Sequence, residues 1–392
     1  MNPAIVIVAY NRPHALRRLL DCLARADYPA LSIPLVISID SGGSQHSQVR
    51  EAAESFQWVQ GEKRVIAHDK HLGIVGHFMF SGDLTAEYGS VIRLEDDYNV
   101  SPVFYAYAYQ ALAAHDSDAR IAGISLYSLW FNGFTHHPFM PLLDDGDCFF
   151  LQLPWSQGQA YARQQWETFR SWQSAGDRPT LPDDLLHEMF SRFPADDWFP
   201  LQAKYLVETN KYYVFPRQSL STNFGDAGTH FGRRSDFFQT PLQYQRTQYR
   251  LPSLDESLAV YDSFFELLPD RLNRLTNRLS GYQYTVDLNG GKSRAKFRAE
   301  YALTSRPCRS PVLSFGNAMW PLEANVIENV PGSGIYFGKV SDLDFGWLAT
   351  LTMQKSNFEF FTRRRAPGLR TRIKFWLIGL FDRLFGRKCA GS

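Results

Sequence analysis

The first hundred residues alternate between two hydrophobic periods. Residues 4–9 (AIVIVA) form an unbroken apolar run, the pattern of a strand buried on both faces. Leu16, Leu19, Leu20 and Leu23 then recur at i, i+3, i+4 and i+7, which predicts a helix with one apolar stripe. A second strand over 34–39 (PLVISI) closes on Asp40, Ser41, Gly42 and Gly43. A third is expected over 64–67 and a fourth over 90–94, the last running straight into Glu95, Asp96 and Asp97. Strands alternating with helices predict an α/β fold with a mostly parallel sheet flanked by helices. From about 145 to 232 the pattern is mixed, with helices expected over 157–172 and 196–208. Beyond 242, short strands over 282–288, 311–315 and 334–340 sit between Gly- and Pro-rich turns. They predict an appended β-rich region over 242–350, followed by a tail over 351–392.

Charge changes this picture at one end only. The chain carries a net charge of +1, yet between Arg363 and Lys388 there are nine Lys or Arg against one acid, Asp382. That stretch is therefore +8 and the remainder −7, so body and tail call for separate readings. Read as a helix, residues 370–388 (RTRIKFWLIGLFDRLFGRK) group Ile373, Trp376, Leu377, Leu380, Phe381 and Leu384 on one side. Lys374 interrupts that side and Phe375 lies off it. Basic ends around bulky apolar residues suit a helix lying in an anionic membrane interface; packing on the body or on a second subunit is the alternative. An acidic body argues against nucleic acid as a partner. Cys22, Cys148, Cys308 and Cys389 are scattered without metal-site spacing, which suits reduced thiols in a cytoplasmic protein. The N-terminal MNPAIVIVAYNRP reads as a first strand rather than a signal peptide. No run of about 18 apolar residues is long enough to span a bilayer. The expected location is cytoplasmic, peripheral at the inner face of the membrane if the tail binds it.

Acids mark the place where chemistry is expected. In open α/β sheets ligands bind beyond the carboxyl ends of the strands, and Asp40 and Glu95-Asp96-Asp97 both fall there. Three consecutive carboxylates repel one another unless a cation or several donors compensate them. Magnesium and manganese favour oxygen ligands and commonly bind through one or two carboxylates plus substrate phosphates. A solvated acidic loop is the plain alternative. Phe193-Pro194-Ala195-Asp196-Asp197 likewise reads either as a helix start, where acids favour the dipole, or as the source of a catalytic base.

Taken in order, Tyr10-Asn11-Arg12-Pro13 after the first strand, Asp40 after the second, Glu95-Asp96-Asp97 after the fourth and Asp196-Asp197-Trp198 resemble the GT-A glycosyltransferases. More narrowly they are similar to the N-acetylglucosaminyltransferase I branch, which carries an E-D-D motif. The likeness covers roughly residues 5–232, in patches. It implies a GT-A, Rossmann-like catalytic domain over 1–241 that takes a nucleotide diphosphate sugar, UDP-linked, as donor. It further implies an inverting transfer, dependent on Mn2+ or Mg2+, to a hydroxyl of a glycan or glycolipid, as in surface polysaccharide synthesis. On this resemblance Arg12 and Asp40 contact the nucleotide base, Glu95 the donor sugar, Asp96 the ribose and Asp97 the metal, with Asp196 as the base. His77 would line the base pocket, and His230, in the glycine-containing segment 221–230, would touch the diphosphate. Trp155, Gln157 and Gly158 are further pocket candidates. Ala195 departs from the family, whose animal members carry an aromatic residue there, and this leaves the transferred sugar open. The stretch after the first strand lacks the glycines that a nucleotidyltransferase or a dinucleotide-dependent oxidoreductase would need. A non-catalytic carbohydrate- or nucleotide-binding protein on the same scaffold is the remaining alternative.

Overall fold

Unbroken apolar runs are satisfied only by burial on both faces, and the first strands sit accordingly. A computed structural model describes residues 2–194, 197–226 and 235–363. In it β1 (Ala4–Ala9) and β2 (Leu35–Ile39) are buried at every position and pair in parallel. Alternate side chains serve opposite faces of the sheet. Ile5 and Ile7 join Leu16, Leu19 and Leu23 of α1 (Pro13–Ala24) in one core cluster, while Val6 joins Phe78 and Trp166 in the other. The leucine stripe on α1 thus lands where its spacing directs it.

The chain continues through α2 (His46–Ser55) to β3 (Lys63–Ala67), the edge strand beside β2. It then returns through α3 (Gly73–Asp83) and the single turn α4 (Thr85–Tyr88) to β4 (Ser90–Glu95), which pairs in parallel with β1. A short β5 (Tyr98–Val100) precedes α5 (Phe104–His115) and β6 (Ile121–Ser125). Next come β7 (Cys148–Leu151), β8 (Gln159–Ala162), α6 (Arg163–Ser174), α7 (Trp198–Glu208), β9 (Tyr212–Pro216), β10 (Ser221–Asn223), β11 (Val260–Tyr261) and α8 (Pro269–Leu275). One sheet of nine strands results, in the order β11-β7-β9-β6-β8-β4-β1-β2-β3. Five of its pairings are parallel and three, β4–β8, β6–β8 and β7–β9, are antiparallel, so the sheet is mostly parallel and flanked by helices as expected.

The helix expected over 157–172 begins later than its pattern suggests. Residues 159–162 form β8, fully buried between β4 and β6, and α6 starts only at Arg163. Pairing on both sides outweighs local helix propensity there. The Gln165 side chain marks the switch by accepting from the Ala162 backbone N–H at 3.0 Å.

A separate four-stranded sheet, β12 (Tyr284–Asp287), β13 (Tyr301–Thr304), β14 (Leu313–Phe315) and β15 (Ile335–Lys339), runs in the order β12-β13-β15-β14. The region after residue 242 also supplies β11 to the nine-stranded sheet, and the two sheets share one core cluster. Helices α9 (Ala324–Ile327) and α10 (Trp347–Thr362) complete the described chain. The basic helix expected over 370–388 lies outside the described residues. No described helix is long and apolar enough to cross a membrane.

Candidate functional site

Parallel pairing of β4, β1 and β2 brings their carboxyl ends level. The Asp96 N–H donates to Val8 O (3.2 Å) and the Asp40 N–H to Ala9 O (2.9 Å), so both acids leave the sheet at one edge. Arg12, just after β1 and at the residue before α1, reaches across to the acidic turn. Its guanidinium donates to Asp96 Oδ1 and, at 2.9 Å, to Asp97 Oδ2. Burial works against the Arg12 charge, but the two carboxylates more than offset it and raise its pKa.

Asp96 is almost wholly buried. Burial pushes its carboxyl up to about 7, Arg12 pulling the other way. Burial raises Asp97 as well, again against Arg12. One oxygen of Asp97, Oδ1, is buried with no hydrogen-bond partner among the described residues. A buried carboxylate oxygen without a donor is costly unless something positive arrives, so this atom fits a metal ligand. The described residues hold no cluster of three or more His, Cys, Asp or Glu able to hold a metal by themselves. A cation here would therefore take one carboxylate from the protein and complete its shell with donor phosphates and water.

Glu95 closes β4 and accepts from the Arg93 guanidinium at 3.1 Å. Arg93 is buried within β4, over the rings of Phe78 (5.2 Å) and Trp198 (5.6 Å). The sequence pattern did not single out Arg93, although a basic residue two positions before Glu95 on the same face of an apolar strand was a usable signal.

Asp40 accepts three backbone hydrogen bonds. Its Oδ1 accepts from the backbone N–H groups of Ser41 (2.8 Å) and Leu72 (2.7 Å). Its Oδ2 accepts from Gly73 N–H (3.1 Å) and lies 3.0 Å from His71 Nδ1. Asp40 thereby ties the end of β2 to the start of α3, with the exposed His71 ring against its outer edge. His77, on α3, is buried beside it. The Ser38 hydroxyl lies 2.7 Å from His77 Nε2 and 2.8 Å from His68 Nε2. Burial lowers His77 to about 4, so its ring is neutral at pH 7.

The antiparallel ribbon of β5 and β10 carries residues 221–226 to the acidic turn, with Thr222 opposite Asn99 and Phe224 N–H directed at Asp97 O (3.4 Å). Arg18 on α1 lies over the Phe224 ring (4.1 Å) and pairs with Asp226. Gly225 has φ +68°, and a Cβ there would meet Ser235 O at 2.0 Å, so this turn requires glycine. His230, beyond it, lies outside the described residues. Tyr98 and Ser221 hydroxyls donate to Ser156 O and Gln157 O, drawing the 155–158 segment to the same ribbon. There Trp155 Nε1 and Gln157 Oε1 are buried without a hydrogen-bond partner among the described residues, one donor and one acceptor. Gly158 (φ +91°) packs on Leu126.

Asp196 lies outside the described residues. Its neighbour Asp197 caps α7, accepting from Phe199 N–H at 2.9 Å. Arg12, Glu95, Asp96 and Asp97 therefore form one group, with Asp40 and His77 a second at the same sheet edge.

No family model matches the chain. No curated protein matches it either. Among solved structures it is similar to residues 1–349 of S. aureus TarS, at 15% identity over 58% of this chain and 61% of that one, with a TM-score of 0.38. TarS 1–349 in complex with UDP-GlcNAc matches at 16% identity over 55% of this chain and 59% of that one, with a TM-score of 0.33. The mannosyltransferase PcManGT from Pyrobaculum calidifontis, in complex with GDP-Man and Mn2+, matches at 12% identity over 55% of each chain, with a TM-score of 0.35. The chain thus spans less than two thirds of each of these structures. Likenesses this distant leave the functional reading to the residues themselves.

Proposed function

We propose that this protein is a metal-dependent GT-A glycosyltransferase that moves a sugar from a nucleotide diphosphate donor to a hydroxyl of a glycan or glycolipid. The observation that carries the reading is the acidic turn at the end of β4. Three adjacent carboxylates lie at the sheet edge where ligands bind, Asp96 and Asp97 on Arg12 and Glu95 on Arg93, and Asp97 Oδ1 is buried without a partner among the described residues. With Arg93 on Glu95, Arg12 alone faces two buried acids, so the turn favours further positive charge.

Asp97 would hold Mn2+ or Mg2+, with Arg12 remaining on its other oxygen and on Asp96. When bound, the ion supplies Lewis acidity toward the departing diphosphate. Glu95, held by Arg93, presents an acceptor oxygen toward the donor sugar, and Asp96 one toward the ribose. Neutral His77 and Asp40 border the base, where we favour uracil. A uracil imide N–H would take the Asp40 Oδ2 edge now facing His71, because the backbone donors fix the other positions. Asp197 is committed to capping α7, which leaves Asp196 to take the acceptor proton in an inverting transfer.

The test is release of nucleotide diphosphate from a panel of UDP- and GDP-sugars, with Mn2+ and with EDTA, on wild type and Asp97→Asn. The reading expects one donor to be turned over, with loss of release in EDTA and in the variant. No release from any donor, together with UDP binding that ignores metal, would instead identify a nucleotide-binding protein on this scaffold. The anomeric configuration of the product, read by NMR, tests inversion.

A further inference from the structure

Helix α10 packs one face on the body and leaves a second apolar face bare. Toward the body, Met353 closes on Gly290, where an added Cβ would meet the Met353 Sδ at 2.6 Å. Asn357 Nδ2 donates to Asn289 O (3.2 Å), and Phe360 lies 5.8 Å from the Trp320 ring. These contacts fix the helix in place. On the other side Trp347, Leu348, Leu351 and Phe358 are 73%, 70%, 43% and 36% exposed. Trp347, Leu351 and Phe358 fall within about 40° of helical arc, with Leu348 and Lys355 flanking them. Packing on the body accounts for the inner face alone; on the outer face Trp347, Leu348 and Leu351 form an exposed apolar cluster, and Phe358 lies beyond Gln354 and Lys355.

Charge decides what covers it. The helix ends at Thr362, and the sequence between Arg363 and Lys388 adds nine basic residues against one acid. A second copy carries the same basic sequence and offers this segment no counter-charge. An anionic bilayer instead supplies counter-charge and accepts indole and phenyl rings at headgroup depth. We propose that the outer face of α10 is a docking surface for an anionic lipid bilayer, the basic sequence that follows it arguing for that partner. The apolar face and the polybasic sequence act as two signals, each weak alone.

The test sediments the full-length protein with phosphatidylcholine vesicles, with and without phosphatidylglycerol. It compares wild type with a combined Trp347→Ser, Leu351→Ser and Phe358→Ser variant. Wild type should bind only the anionic vesicles and release at high salt, and the variant should partition roughly tenfold less at an unchanged melting temperature. Wild type that ignores anionic vesicles overturns the proposal, as does a folded variant that binds like wild type. A dimer in sedimentation velocity that the triple substitution dissolves, with no vesicle binding, would assign the face to a second copy and also overturn it. Should the triple variant fail to fold, Trp347→Ser alone, in the exposed first turn, gives the same readings. Donor hydrolysis assayed without vesicles is untouched by these substitutions, so failure here and failure of the transferase reading are separable.

Discussion

At the scale of single residues, Asp97 and Arg12 make opposite demands on the acidic turn. Asp97→Asn keeps the shape of the side chain and removes the charge a cation would need. We expect donor turnover to fall at least 100-fold, the size of effect seen when one electrostatic contact to a transition state is lost. Mn2+ should raise the melting temperature of wild type and leave that of the variant unmoved, because only a bound ligand stabilises. A variant still stabilised by Mn2+ would place the metal elsewhere. Arg12→Met is expected to cost more in stability than in shape. It strips the guanidinium from Asp96 and Asp97, and leaving partly buried acids without their donor costs about 1–3 kcal/mol. Urea unfolding measures this, and a loss below about 1 kcal/mol would show that the acids are not held by Arg12. That Arg12 and the acidic turn share one sheet edge was legible, because both directly follow buried strands; that Arg12 pairs with Asp96 and Asp97, where a contact to the nucleotide base was expected, was not. Nor was the structural role of Asp40, since its donors Leu72 and Gly73 lie 32 and 33 residues away and reach it only through the fold.

At the scale of elements, the start of α7 separates structure from chemistry within two adjacent acids. Asp197 accepts from Phe199 N–H, so Asp197→Ala should cost about 1 kcal/mol and lower the melting temperature, with donor release retained. On our reading Asp196→Asn does the reverse: melting unchanged and transfer to acceptor reduced at least 100-fold, the scale of a lost general base. Equal effects in both variants, by thermal melting and product release, would dissolve the division of labour. The helix start itself could be read from Pro194, Asp196 and Asp197, because capping is local chemistry. By contrast the strand β8 was hidden. Gln159–Ala162 has one strand former, Tyr161, between two alanines, and its extension is set by β4 and β6 on either side. The same holds for β13, whose partners β12 and β15 lie in separate stretches of chain.

At the scale of the whole molecule, buried polar ties join the small sheet to the large one alongside their shared apolar core. Asp287 of β12 accepts from the Arg306 Nε–H (3.2 Å) and Lys292 N–H (2.8 Å), while Lys292 Nζ donates to Asp262 (2.7 Å), one residue past β11. None of this was visible in the sequence, where the region after residue 242 showed only short strands and turns. A second tie is Glu323, just before α9, whose Oε1 accepts from the Tyr261 hydroxyl of β11 at 3.2 Å. It is buried beside Phe265, Trp320 and Phe361, and burial pushes its carboxyl up to about 7, with the Tyr261 bond pulling the other way. The unfolded chain releases the same proton near its ordinary value of 4.5. Between these limits the folded protein holds a proton that the unfolded chain has lost, so stability must fall as pH rises through that window. Glu323→Gln has no proton to release and nearly the same shape. Its stability should match wild type at pH 5 and exceed it at pH 8, by roughly 3 kcal/mol at most. Urea midpoints of the two proteins across that range are the measurement. Parallel curves would mean that Glu323 ionises in the folded state at its ordinary pH, and that the joint between the sheets is open to water.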